Sequence, residues 1–227
     1  MKQAKTTAII LAAGISNRMR SYEPRSLLKI KDSTVAETQI KILKEHFDNV
    51  ILVAGYKVGK VSKRVEKLGA KVVVNEDFLN TGGFESLALA LENDSSDGVF
   101  VVHGDIVFNA EAFDVHHATS CIIMDTNCHI HDREVGAIMH DGIVTTLSYG
   151  LPDKWAQMVY FTGRELKLLK DLAHNKILRK RFRNKLLFEG INHIIESHGE
   201  FNYYYPYNLQ LLEIDTIGDL KNENIDL

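Results

Sequence analysis

The chain opens on an uninterrupted apolar run. Ala8, Ile9, Ile10, Leu11 and Ala12 follow Thr7 without a charge, too short to span a membrane and with two β-branched isoleucines, the pattern of a parallel strand buried on both faces. Side chains then shrink at Ala13 and Gly14. Across residues 34–47 the apolar positions Val35, Ile40, Ile42, Leu43 and Phe47 recur at near-helical spacing, and Thr34 with Glu37 has the form of a capping box. Residues 49–56 read as a second buried strand, a lysine-rich amphipathic helix runs to Leu68, and residues 71–75 read as a third strand. Residues 98–108 are a fourth, interrupted by His103, Gly104 and Asp105. This alternation predicts an α/β fold with a doubly wound, mostly parallel, Rossmann-like sheet, whose ligands sit beyond the carboxyl ends of the strands.

After Ala110 the rhythm changes. Residues 121–124, 135–139, 143–147 and 158–161 are short strand candidates, and Asp141-Gly142 is a strong hairpin signal, so a mixed β extension of the sheet is expected. Residues 163–197 read as helical. They contain Lys176, Arg179, Lys180, Arg181, Arg183 and Lys185, a run expected to be a solvated helix face rather than a lipid or RNA contact. An aromatic strand then leads to LLEIDTIGDL at 211–220, where Asp215 reads as the N-cap of a terminal helix. No linker or repeat interrupts the chain, so residues 1–227 are expected to form one domain with halves at 1–110 and 111–227.

Composition narrows the function classes. With 27 Lys and Arg against 30 Asp and Glu the net charge is −3, which argues against broad binding to nucleic acid and requires any phosphate to be caught locally. Cys121 and Cys128 are the only cysteines, too few for a disulfide framework, and free thiols in a reducing, cytoplasmic setting are expected. Together with His116, His117, His129 and His131 they invite a zinc reading, but the spacing matches no ordinary ligand pattern and a solvated hairpin is expected instead.

Candidate chemistry gathers in three places. The small-residue loop from Leu11 to Gly14, with Arg18 and then Arg25 after Pro24, combines backbone donors and two forked cations suited to a polyphosphate. Asp105 ends a buried strand and needs a partner there; Mg²⁺ bridging phosphate oxygens is one, and a turn cap is the other reading. In residues 75–87 two glycines, an aromatic and a serine precede a helix, which suits either the reading of a base edge or plain helix capping. His103 is read as a packing residue. Tyr149, Trp155, Tyr160 and Phe161 form either a pocket wall or core.

The string LAAGISNRM followed by PRSLL resembles the signature of the nucleotidyltransferases that couple a nucleoside triphosphate to a phosphorylated metabolite, with Ser16 where many members have glycine and Arg25 where most have lysine. The resemblance implies their nucleotide-diphospho-sugar transferase-like fold and nucleotide contacts from Leu11, Ala12, Ala13, Gly14, Ser16 and Gly104. It implies catalytic roles for Arg18 and Arg25 at the pyrophosphate leaving group, and Mg²⁺ held by Asp105 and Asp215. Residues 75–87 resemble the cytidine-holding loop of bacterial phosphocholine cytidylyltransferases at Asn75, Phe84, Ser86 and Leu87, which implies CTP as the donor. Glu189 and Asn192 stand where related sugar and choline enzymes place acceptor contacts, with Trp155 and Tyr160 as further acceptor candidates. Those choline enzymes carry a tryptophan in the strand aligned with residues 134–139, absent here, which speaks against choline. The expected activity is transfer of CMP to a small phosphorylated acceptor with release of pyrophosphate. The alternatives are a sugar-1-phosphate nucleotidyltransferase using UTP, dTTP or GTP, and a non-catalytic nucleotide-binding domain. No nucleic acid partner or membrane span is expected, and a homodimer stays open.

Overall fold

The structure is a computed structural model that describes residues 4–15, 23–113, 118–125 and 131–214. Along the chain, β1 (Thr6–Ala12) is followed by a small hairpin, β2 (Lys29–Ile30) and β3 (Ser33–Thr34), then α1 (Val35–His46), β4 (Asn49–Ala54), α2 (Val58–Val65), β5 (Lys71–Val74), α3 (Gly83–Leu91), β6 (Gly98–His103) and β7 (Ile106–Phe108). The second half adds β8 (Cys121–Met124), β9 (Val135–His140), β10 (Ile143–Tyr149), β11 (Asp153–Thr162), α4 (Gly163–His174), α5 (Lys176–Phe182), α6 (Leu187–Glu196), β12 (Asn202–Tyr204) and β13 (Leu211–Glu213).

β5, β4, β1 and β6 lie side by side and parallel. Alternation along β1 sends Ile9 to one face and Ile10 to the other, and each meets a helical layer. On one side Ile10 and Leu52 pack with Ala36, Ile40 and Leu43 of α1 and Val61 of α2. On the other, Ile9, Val53 and Val101 pack with Leu87 and Leu91 of α3, Leu169 of α4 and Ile191 of α6. Full burial of each such Leu or Ile contributes about 1.5–3 kcal/mol. The start of α1 is set by the expected capping box: Glu37 N–H donates to the Thr34 hydroxyl and Thr34 N–H to the Glu37 carboxylate.

Beyond β6 the sheet becomes mixed, in the order β11, β8, β12, β10, β9. β9 also pairs with the start of β11, through Ala137 with Asp153 and Gly136 with Lys154, so these five strands close on themselves. The return is tight: a Cβ on Gly136 would stand 2.1 Å from the Leu151 carbonyl oxygen. The Asp141-Gly142 turn joins β9 to β10 with both residues at positive φ, 49° and 84°, as its sequence predicts.

Two boundaries differ from the sequence reading. Residues 98–108 are not one strand: β7 leaves the main sheet to pair with β13, which puts Asp105 in the turn between β6 and β7. The helical stretch 163–197 breaks at Asn175, whose side chain accepts from the Ile177 and Leu178 N–H groups and starts a new helix. Among the described residues no helix is long and apolar enough to cross a membrane.

Candidate active site

The winding reverses between β1 and β6, since the chain proceeds from β1 outward to β4 and β5 and then returns to the other side for β6. A crevice opens at the carboxyl ends of such a strand pair. Ala13 and Gly14 leave β1 there, and Gly104 and Asp105 leave β6. Gly104 N–H donates to the Leu11 carbonyl at 2.8 Å, and a Cβ on Gly104 would meet the Ala12 Cβ at 2.6 Å. Only glycine lets this turn lie so close on β1, and the turn in turn delivers Asp105 to the crevice.

Asp105 is 7% exposed and its Oδ2 lies 2.5 Å from Arg25 Nη1. Pro24 and the short 3-10 turn Arg25–Leu27 present that guanidinium. Behind the carboxylate, the buried Gln39 amide donates to the carbonyls of His103 at 2.8 Å and Ile106 at 2.7 Å, bracing the turn on both sides of Asp105. The sequence reading missed Gln39. Its signal was a polar residue on the helix face that buries Ala36, Ile40 and Leu43. On the open side, Ile214 N–H donates to the Asp105 carbonyl at 2.9 Å, continuing the β13 pairing to the edge of the site. Asp215, Arg18 and Ser16 lie outside the described residues, as do His116, His117, Cys128 and His129 of the zinc reading. Among the described residues no cluster of three or more His, Cys, Asp or Glu could enclose a metal.

A cavity of about 900 Å³ adjoins the pair, and its lining includes Arg25, His103, Asp105, Trp155, Gln157 and Glu213. His103, read as packing from sequence, meets Trp155 edge-on at 5.9 Å, and its Nε2 is buried without a partner among the described residues. Burial holds its pKa below the usual imidazole value, against the opposing charge of Asp105. Opposite it the β11 ladder is irregular: Trp155 faces Met124 and Met158 faces Ile123, so Ala156 and Gln157 are extra. Gln157 takes φ 57°, and Trp155 Nε1 clamps the bulge by donating to the Met158 carbonyl at 2.9 Å. A left-handed non-glycine residue costs roughly 1–3 kcal/mol, and bulges of this kind re-aim side chains next to active sites. At the far wall Lys154 Nζ lies 2.8 Å from Glu134 and 3.5 Å from Asp125. Burial opposes charge on both Lys154 and Glu134, but their hydrogen bond and the neighbouring charges together outweigh it, raising the lysine pKa and lowering that of the glutamate.

Several expected contacts lie elsewhere. Leu11 and Ala12 sit at the end of β1 beside the crevice, and Ala13 is buried with its carbonyl accepting from Tyr56 N–H at 3.0 Å. Gly14 is exposed, and a Cβ there would meet nothing within 4 Å. Asn75 spends its amide inside its own loop, donating to Thr81 Oγ1 and Ser86 Oγ and accepting from Asp77 N–H. Phe84 is fully buried against Phe182. Asn75, Phe84 and Ser86 thus fix the shape of the loop at the edge of the sheet. Tyr160 is buried with Phe100 and Met158 on the face of the sheet opposite Trp155. Glu189 caps α6 by accepting from Leu186 N–H and pairs with Lys185, while Asn192 exchanges two hydrogen bonds with the Leu147 backbone and ties α6 to β10. Trp155 alone of the four acceptor candidates lines the cavity. In the basic run, Arg179 bridges Glu85 and Glu92 and Arg183 meets Asp77, so part of that run clamps α5 onto α3 and its loop. Burial pushes the Cys121 thiol up to about 12, which leaves it inert.

The sheet and crevice define the α/β nucleotidyltransferase class. A family model described as a MobA-like NTP transferase domain matches residues 8–185. Choline-phosphate cytidylyltransferase of Streptococcus pneumoniae is 34% identical over 89 residues, 37% of this chain and 39% of that enzyme. 2-Aminoethylphosphonate cytidylyltransferase of Lancefieldella rimae is 24% identical over 227 residues, 95% of this chain and 91% of that enzyme. The solved structure of the CTP:phosphocholine cytidylyltransferase from Streptococcus pneumoniae shares the fold, with a TM-score of 0.81 at 20% identity over 96% of this chain and 97% of that one. The chain belongs to the MobA-like NTP transferase domain family and is a nucleotidyltransferase.

Proposed function

We propose that the protein transfers CMP from CTP to a small amine bearing a phosphate or phosphonate, with release of pyrophosphate. The observation that carries this reading is the Arg25–Asp105 pair at the reversal point of the sheet, opening onto the 900 Å³ cavity. An ionised acceptor oxygen attacks the α-phosphorus; a P–O bond forms, the anhydride bond to the β-phosphorus breaks, and its electron pair leaves on pyrophosphate. No general base is needed, because the attacking oxygen already carries its charge. Alignment and charge neutralisation supply the catalysis. The backbone after β1 receives phosphate oxygens, and Arg25, released from Asp105, stabilises the leaving group, the role that the sequence motif also implies for Arg18.

Asp105 fits a divalent cation: it is a hard oxygen donor at the mouth of an open cavity, and it already holds a cationic group at 2.5 Å. With Asp215 it would hold Mg²⁺, which favours one or two carboxylates and completes its shell with water and phosphate. Bound there, the ion would neutralise triphosphate charge.

CTP is favoured by the two cytidylyltransferases, one of which aligns along 95% of the chain. The amine is favoured by the cavity. Trp155 is 2% exposed with its nitrogen engaged, so its indole face is closed to a trimethylammonium. Glu134, which shares its carboxylate with Lys154, and Glu213 on the wall suit an ammonium whose N–H donors take the remaining lone pairs. A cytoplasmic enzyme is consistent with the free buried thiol of Cys121.

Pyrophosphate release over CTP, UTP, GTP and dTTP, each with 2-aminoethylphosphonate, phosphocholine and sugar 1-phosphates, tests the reading. CTP with 2-aminoethylphosphonate is expected to turn over fastest. Preference for another nucleotide with a sugar phosphate overturns it, and nucleotide binding without pyrophosphate release for any acceptor returns the protein to a binding role.

A further inference from the structure

Gln157 takes part in none of the registers that tie β11 into the sheet. Its left-handed backbone favours glycine, and its side chain leaves the sheet to line the cavity. The ladder between β11 and β6 runs up to Met158 opposite Val102 and stops there, so Gln157 stands where the next partner of His103 would be. Both side chains line the cavity with Asp105, and His103 is two residues from that carboxylate. The bulge is held from behind by the Trp155 indole. A strained, clamped, uncharged amide is thus fixed on the wall of the cavity that Asp105 also lines, where the buried Nε2 of His103 has no partner among the described residues.

We propose that the Gln157 amide holds the phosphate or phosphonate of the acceptor and aims its attacking oxygen at the nucleotide. A neutral N–H donor suits the acceptor end, because it orients an anionic oxygen without the strong charge pairing that would blunt its nucleophilicity, whereas the guanidinium of Arg25 suits a leaving group. The inference rests on the reaction proposed above, and it assigns the acceptor end of that reaction to a residue that no motif in the sequence marks.

Gln157→Gly separates the two roles the residue could have. Removing the side chain relieves the positive φ, so the melting temperature is expected to rise by a few degrees. The KM for 2-aminoethylphosphonate is expected to rise at least tenfold, with the KM for CTP within twofold of the unsubstituted enzyme. Gln157→Glu sets a charge against the anion and is expected to raise the acceptor KM further while leaving that for CTP unchanged. If both variants keep the acceptor KM within twofold, Gln157 is a bulge residue only and the proposal falls while the reaction stands. If the unsubstituted enzyme turns over no acceptor at all, both fall together.

Discussion

Arg25 Nη1 stands 2.5 Å from Asp105 Oδ2, so two groups assigned to one triphosphate are paired with each other in the free protein. The pair keeps a nearly buried carboxylate from lying uncompensated. Under the proposed reaction, a nucleotide with its cation would have to draw Arg25 away to engage both.

Removing Asp105 should therefore act on catalysis far more than on folding. Asp105→Ala is expected to lower kcat by several powers of ten, as loss of charge stabilisation at the reacting phosphates does. Arg25→Ala should lose leaving-group stabilisation and also vacate the carboxylate. Its affinity for Mn²⁺ without nucleotide, measured by electron paramagnetic resonance, is expected to rise above that of the unsubstituted protein. An unchanged Mn²⁺ affinity would show that Arg25 does not compete for the cation position.

Gln39 supports the same turn from inside. Gln39→Leu keeps the side-chain bulk but strips the donors from the part-buried His103 carbonyl and the buried Ile106 carbonyl, at a cost of about 1–3 kcal/mol, chiefly for the buried acceptor left unpaired. Urea unfolding should show that loss, and kcat should fall with CTP affinity little changed, because the turn that carries Asp105 loses its brace.

Two glycines of the crevice should respond in opposite ways to the same substitution. At Gly104 an added methyl collides with Ala12 at 2.6 Å, so Gly104→Ala should destabilise the fold and lower activity. At Gly14 the methyl meets nothing within 4 Å of the protein. Gly14→Ala should leave the melting temperature within a degree or two while weakening CTP, since the space it enters is where phosphate would approach the backbone. Calorimetric titration of CTP beside thermal melts separates the two.

The Thr34–Glu37 cap should make part of the stability depend on acid. Burial disfavours the Glu37 charge, but hydrogen bonds from Arg64 and from Thr34 outweigh it and hold the pKa down to about 2, from 4.5. A carboxylate with a depressed folded-state pKa stabilises fully above its unfolded value and loses that contribution as pH falls through the folded one. The window is therefore pH 4.5 down to 2. After allowance for solvent screening around Arg64, the contribution is about 1–2 kcal/mol. The difference in unfolding free energy between the unsubstituted protein and Glu37→Gln should shrink by that amount across the window, and a constant difference would show that the cap does not couple stability to pH.

Features carried by a few adjacent residues were legible from the sequence alone: the buried run of β1, the capping box at Thr34, the Asp141-Gly142 hairpin, and the small-residue turn followed by a lone acid after a buried strand. Each is decided by local sterics, by hydrogen bonds over three or four residues, or by a two-residue period. The tertiary structure alone decided which strands are neighbours, and so brought Arg25 to Asp105 and Gln39 beneath the turn that carries it. It also moved Tyr160 and Phe84 into core and turned Asn75, Glu189 and Asn192 into fastenings. An aromatic or amide side chain reads alike whether it faces a ligand or a neighbouring element; the choice belongs to whatever packs on that face, and those partners come from residues tens of positions away. The kink at Gln157 is the sharpest instance, because nothing in its own stretch of chain disfavours a straight strand, and only the ladders to β6 and β8 force the two extra residues out.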